Sequence, residues 1–432
     1  MRELEPLSFD RTLREASEMI ERRTAKGEPV RAELLPPELF HEETLAWLRE
    51  LTGKDPLAEA LEQWLLRIRE QAELGARRAE LGRAHRLTLH ALAEPEQTRL
   101  PLAEMLSRAL ARPRERAAYL RGYFASSASV AELVTRLWEE RQLFAERYQT
   151  RLDSFEVASS ALVSAAREFL SETQAGYETL AIRDAETFIT VGLAESSHEG
   201  WPARLTPRTV TELVDRAWFE GLRVRPFALP VALGAGSFLL ALGGLGRALA
   251  NAASTLHSPF VLARDVFDLQ QNELGALFAT LPLSPAFASR TLGLGASRTR
   301  DHLRALARAH LVDARVAAFR VLLRELLVGG SGAVRRELAE LSHSALGFEL
   351  PREAAGAFVR VRPRDSQRFA GSLLAANRHT LLVETHEEDW FRDPRAIRQL
   401  RAELSERKLS PVSAEELSAG RRAFRTRLEP LL

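Results

Sequence analysis

Metal-assisted hydrolysis needs two histidines one helical turn apart with a glutamate between them, so that both imidazoles point from one helix face at the same ion. The chain has ten histidines in 432 residues, and none meets that spacing. His41-Glu42, His198-Glu199 and His386-Glu387 each lack the second histidine, and His85 and His90 stand five positions apart. There is no cysteine, which excludes disulfides, thiolate metal sites and a cysteine nucleophile. No G-x-S-x-G elbow presents an activated serine. Gly243-Gly244-Leu245-Gly246 is rich in glycine but lacks the lysine and the preceding strand of a phosphate loop. No catalytic residue, metal or cofactor is assigned on this basis.

A second kind of chemistry, DNA reading, has one candidate. Residues 288–312 (ASRTLGLGASRTRDHLRALARAHLV) have the look of a winged helix-turn-helix, with Arg298, Arg300 and Arg304 where a recognition helix would meet base edges. A winged domain continues into a β-hairpin, whereas 314–327 continues with helical spacing, and Pro282 and Pro285 interrupt the supporting helix. The 60 basic and 59 acidic residues nearly cancel, without the basic excess of a nucleic-acid binder. Nucleic acid is therefore not an expected partner. Only Lys26, Lys54 and Lys408 are lysines, an arginine bias that reads as the coding habit of a GC-rich bacterial genome.

The element that must position any site is the stretch from Phe227 to Ala250. Its first twenty residues, to Gly246, carry no charge in a chain that is 28% charged. Exposing it would cost roughly 25 cal/mol per Å² of apolar surface. Gly234, Gly236, Gly243, Gly244 and Gly246 weaken a helix, so their density predicts close backbone packing. The length would span a bilayer, but Pro230, the glycines, arginines at both ends (Arg223, Arg225, Arg247) and the lack of a second span argue for a buried core helix instead. The acidic start, Met1 to Glu5, does not resemble a signal peptide, and a cytoplasmic location is expected.

Most other segments read as amphipathic helices. Leu57, Leu61, Trp64, Leu65 and Ile68 fall on one face behind Asp55-Pro56. Ser129 with Glu132 and Ser413 with Glu416 form capping boxes, Thr206-Pro207 and Asp393-Pro394 open helices, and Asp365 opens another. Asp313 is expected to cap a helix of its own after one ending at His310. Phe260-Val261-Leu262 could be extended, and Gly329-Gly330-Ser331-Gly332 reads as a linker. The fold class is all-α with at most a few short strands. A loop-like composition near Gly200 suggests an N-terminal helical region, 1–200, and a second region, 201–432.

Within the second region, Leu242 to Ala250 (LGGLGRALA) resembles the zinc helix of the thimet oligopeptidase and oligoendopeptidase F family, F-H-E-x-G-H-A-x-H. Gly246 and Ala248 agree with that pattern. Gly243 stands at the first histidine ligand, Gly244 at the catalytic glutamate and Arg247 at the second histidine. The family's third ligand, a glutamate from a neighbouring helix, is matched by Glu273, 26 residues past Arg247. The runs 367–371 (QRFAG) and 389–396 (DWFRDPRA) resemble the end of such peptidases, with Phe369 where the family keeps a tyrosine hydroxyl. The resemblance implies a zincin-like helical scaffold, an ion pair of Arg247 with Glu273 in place of the metal, and a degenerate cleft of Gly243, Gly244, Arg247, Glu273 and Phe369. It also implies a non-catalytic pseudo-peptidase with no metal, binding a peptide or serving as a protein-interaction scaffold. The alternatives are a hydrolase using another residue set and the DNA-binding regulator.

Overall fold

The apolar periodicity is realised as helix along nearly the whole described chain. The computed structural model describes residues 5–26, 28–55, 57–150, 160–195, 197–227, 229, 235–254, 259–264, 268–328, 331–351, 365–405 and 412–432. In chain order, the helices that matter below are α1 (Pro6–Ala25), α2 (Ala58–Glu73), α3 (Ser160–Glu172), α4 (Ala185–Gly192) and α5 (Ala235–Ser254). They are followed by α6 (Leu269–Ala279), α7 (Ala296–Val328), α8 (Asp365–His386) and α9 (Ala414–Leu428). Among the described residues the only sheet is a hairpin of β1 (His90–Ala93) and β2 (Thr98–Pro101), antiparallel with His90 opposite Pro101. The all-α class therefore holds. Pro230 and Gly234, like Asp153-Ser154 and the Gly329-Gly330 half of the linker, lie outside the described residues.

The uncharged stretch supplies α5, which is buried at most positions. Its glycines work as the composition predicts. A Cβ on Gly246 would lie 2.5 Å from the Leu274 carbonyl oxygen of α6, and one on Gly275 would lie 3.0 Å from the Gly243 oxygen. The two helices thus cross backbone to backbone. The same device repeats outward: Gly371 of α8 fits against Asn272 of α6, and Gly420 of α9 against the Leu373 carbonyl of α8. Helices α5, α6, α8 and α9 form a close-stacked series held together by glycine contacts. Among the described residues no helix is long and apolar enough to cross a membrane.

The largest apolar cluster runs across residue 200: Phe169 of α3 meets Phe369 of α8 and Phe424 of α9 at ring-centroid distances of 5.5 and 5.0 Å. A second cluster surrounds α5 and α6 with Trp218, Trp390 and Phe391, and a third joins α1 and α2 to Phe260 and Val261. The capping boxes at Thr206 and Ser413 both form.

Four expectations change. The helix expected to open with a capping box at Ser129 begins at Ala128 and runs to Arg147, so Ser129 lies inside it and is not its cap. Residues 296–328 are one 33-residue helix, not two. No glycine or proline separates His310 from Asp313, and the intervening Leu311 and Val312 are buried, so nothing breaks the helix and Asp313 caps nothing. Phe260–Ala263 is a helical turn rather than extended, because the Asp10 carboxylate of α1 accepts from the Phe260 and Val261 N–H groups at 2.8 Å each. Ser331 and Gly332 begin a helix (Ser331–Leu346) instead of a linker.

Candidate functional site

Beside the crossing of α5 and α6, the helices part. Gly243, Gly275, Ala276, Ala279 and Ala309 present little side chain there, and a cavity of about 240 Å³ opens between α4, α5, α6, α7 and α8. Leu240 and Arg247, one helical turn-pair apart on α5, are its most exposed lining residues and mark the mouth.

One end of the cavity is polar. Asp313 of α7 accepts a charge-assisted hydrogen bond from Nη2 of Arg368 on α8. Both side chains lie deep among protein atoms, yet 41% of Asp313 and 36% of Arg368 stay accessible, because they face the cavity space. Burial works against the Asp313 charge, but Arg368, with a smaller contribution from Arg247, holds the carboxyl below its ordinary range. His310, one turn before Asp313 on α7, also lines the cavity, and burial pushes it down to about 4. Ser372 and Asn272 complete this end.

The other end is apolar. Helix α4 carries Phe188, Ile189 and Val191 but buries none of its residues fully. Phe188, Ile189 and Val316, each partly buried, form an apolar wall with the buried Leu239.

The residues expected to form a degenerate metal site separate into two groups. Gly243 and Arg247 line the cavity. Gly244, one step round α5, is buried and is not among the lining residues. Glu273 is neutralised from α8, by Arg378, which also reaches Glu403. Burial disfavours the Arg378 charge, but these two carboxylates outweigh it and raise its pKa. Arg247 instead lies across Gly275, two positions from Glu273 and therefore about 200° round the axis of α6. The expected Arg247–Glu273 ion pair gives way to Glu273–Arg378. Phe369 is fully buried against Phe169, and it is its predecessor Arg368 that reaches the cavity. Among the described residues, no three His, Asp or Glu side chains converge in a way that could hold a metal ion.

The sequence reading missed Asp313, His310 and Arg368 as site residues. A signal was present: His310 and Asp313 share one face at i, i+3 once 296–328 is taken as a single helix. Ser197 and His302, 105 residues apart, also pair at 2.7 Å. Both are buried, and the His302 ring centroid lies 5.8 Å from that of Trp201. The His302 Nε2 has no hydrogen-bond partner among the described residues, so no acid orients this pair as a catalytic dyad.

What the cavity can do chemically follows from its titratable groups. A general acid or base works best with a pKa near the operating pH. Asp313 is held ionised and His310 held neutral at pH 7, so neither is poised to exchange protons. The arrangement suits holding a ligand. Compared with known proteins, the chain matches no protein-family model and no curated protein.

Proposed function

We propose that this protein is a non-catalytic binding protein, a pseudo-peptidase in the sense of the resemblance, whose ligand enters the cavity between α4 and α8. The observation that carries this reading is the cavity's mixed lining: an apolar wall together with a guanidinium–carboxylate pair, with Arg247 at the mouth. Ligand pockets have this composition, mostly apolar with a few convergent polar groups. The two positions where the peptidase pattern would have its histidines, Gly243 and Arg247, open onto the same space, which fits a cleft that outlived its metal. A cytoplasmic setting and a peptide or protein partner belong to this proposal as well.

The test sets cleavage against binding. The full chain, with and without added zinc, is incubated with a panel of short peptides, and both new termini and the thermal unfolding midpoint are measured. The expected result is no cleavage, with stabilisation by those peptides that bind; a ligand at 100 times its Kd stabilises by about 2.7 kcal/mol. Zinc retained at one per chain together with peptide cleavage would overturn the proposal.

A further inference from the structure

The polar end of the cavity narrows the class of ligand beyond the binding role proposed above, on which this step rests. Among the described residues the Arg368 guanidinium donates to Asp313 alone, through Nη2, and the Asp313 carboxylate accepts from Arg368 alone. Both keep part of their surface open to the cavity. A guanidinium has several N–H donors and a carboxylate several acceptor positions, so donors stay free on Arg368 and acceptor positions on Asp313. The two charges already face each other, and what the pair lacks is hydrogen-bond partners. A carboxylate entering there would accept from Arg368 but set its oxygens against those of Asp313. An ammonium would donate to Asp313 but meet the Arg368 charge. A group with a carbonyl oxygen and an N–H on the same side serves both residues at once, and a primary carboxamide is such a group.

The neighbours of the pair have the same mixed character. His310, neutral at pH 7, is a donor at one ring nitrogen and an acceptor at the other. Asn272 spends its Nδ2 on the Asp268 carbonyl at 2.7 Å, which leaves its Oδ1 as an acceptor at this end of the cavity. A neutral head also gives up far less hydration than a charged one on entering a deep site. The wall that includes Phe188 and Val316 is there for the apolar body behind the head. Size sets the rest. A cavity of 150 Å³ holds benzene, so one of about 240 Å³ holds about ten non-hydrogen atoms by proportion. We infer that the cavity binds a neutral molecule with a primary carboxamide head and an apolar tail, about ten non-hydrogen atoms in all, its carbonyl on Arg368, its N–H on Asp313 and its tail against α4.

Octanamide, octanoate, octylammonium and 2-nonanone have the right size and differ in head group; the ketone is octanamide with a methyl in place of the NH2. Their binding to the full chain is measured by calorimetry and ligand-observed NMR at pH 7. The expected result is one octanamide per chain, both charged probes at least tenfold weaker and the ketone weaker as well. Ala276→Leu and Val316→Phe, which fill the cavity from two different helices, should each abolish binding. The double variant Arg368→Met with Asp313→Leu exchanges the pair for apolar side chains, a change that often preserves the fold, and its thermal midpoint reports whether it does. In it the order of octanamide and 2-nonanone should reverse; if it does not fold, the four head groups and the filling variants decide. A charged probe within tenfold of octanamide, a ketone binding as tightly as the amide, or an unreversed order in a folded double variant would overturn the ligand class while leaving the binding role intact. Octanamide binding that survives both filling variants, or no octanamide binding by a chain that the peptide panel stabilises, would overturn it equally. Failure of every peptide and every one of these probes to bind would instead sink the binding role itself.

Discussion

The crossing of α5 and α6 makes a prediction whose sign depends on packing. Gly→Ala inside a helix ordinarily stabilises by about 1 kcal/mol, because alanine has less backbone freedom to lose. At Gly246 the new methyl would lie 2.5 Å from the Leu274 carbonyl oxygen and 3.0 Å from the Gly275 Cα, where ordinary contact begins at 3.4 Å. Both obstacles are backbone, so no side chain can swing aside; the helices must separate by nearly the whole shortfall. A gap of 0.5–1 Å forfeits about a quarter to a half of each dispersion contact, here along a seam that includes Leu242, Leu245, Leu249, Leu274 and Leu277, all buried. Overpacking of this kind costs about 1–3 kcal/mol or more, which outweighs the propensity gain. Gly246→Ala is therefore expected to destabilise by about 2 kcal/mol. The control is Gly82→Ala, in the helix Gly75–Arg83, where the added Cβ meets only the flexible Arg86 guanidinium, at 3.5 Å; it should be neutral or stabilising by up to about 1 kcal/mol. Urea denaturation of both variants, compared at constant m-value, gives the two differences. A Gly246→Ala midpoint at or above that of the parent chain would refute the close-crossing argument.

Two further outcomes follow from buried basic side chains. Arg315 is fully buried and has no carboxylate partner among the described residues; it donates to the Leu170, Ser344 and Ala345 carbonyls, near the ends of α3 and the helix Ser331–Leu346, and lies 4.2 Å from the Tyr177 ring centroid. Arg315→Met leaves three carbonyls without that donor and should cost about 3 kcal/mol or more by thermal unfolding; a loss below about 1 kcal/mol would contradict the clamp. His302 is held at about 4 by burial, against about 6.5 for the unfolded chain. The unfolded state therefore takes up its proton first, and this residue's contribution, complete above pH 6.5, is lost as pH falls toward 4, by roughly 3 kcal/mol in total. The stability gap between the parent and His302→Gln should narrow across that window; a gap constant with pH would rule out the depressed imidazole.

Helix existence was legible in the residues because it rests on local signals. The Ser413–Glu416 capping box, the apolar face of α2 and the glycine density of α5 act over one or two turns, and each produced the element it predicts; the Ser129–Glu132 pair is not a cap, because its helix begins one residue earlier, at Ala128. The errors arose where a tertiary contact decides. Phe260–Ala263 is helical because Asp10, 250 positions away, caps it. Glu273 takes Arg378 rather than Arg247 because α8 lies on its side of α6. The site was half legible. Gly243 and Arg247 were picked out through the peptidase-like pattern, and they do face the cavity. Asp313 was misassigned as a cap by a false helix boundary, and Arg368 was passed over beside a conspicuous phenylalanine.

The polar end of the cavity is also hard to explain by stability alone. An empty space of 240 Å³ would cost at most about 6 kcal/mol at 24 cal/mol per Å³. A deep ion pair such as Arg368–Asp313 is often no more stabilising than well-packed apolar side chains of the same volume. Larger residues at Ala276, Ala279 or Ala309 would close the space, and two apolar residues would replace the pair. A chain shaped only for folding has both routes open to it and has taken neither. The void, the α4 side chains Phe188 and Ile189 and the guanidinium–carboxylate pair occupy the same place, and the binding role proposed above gives all three one explanation.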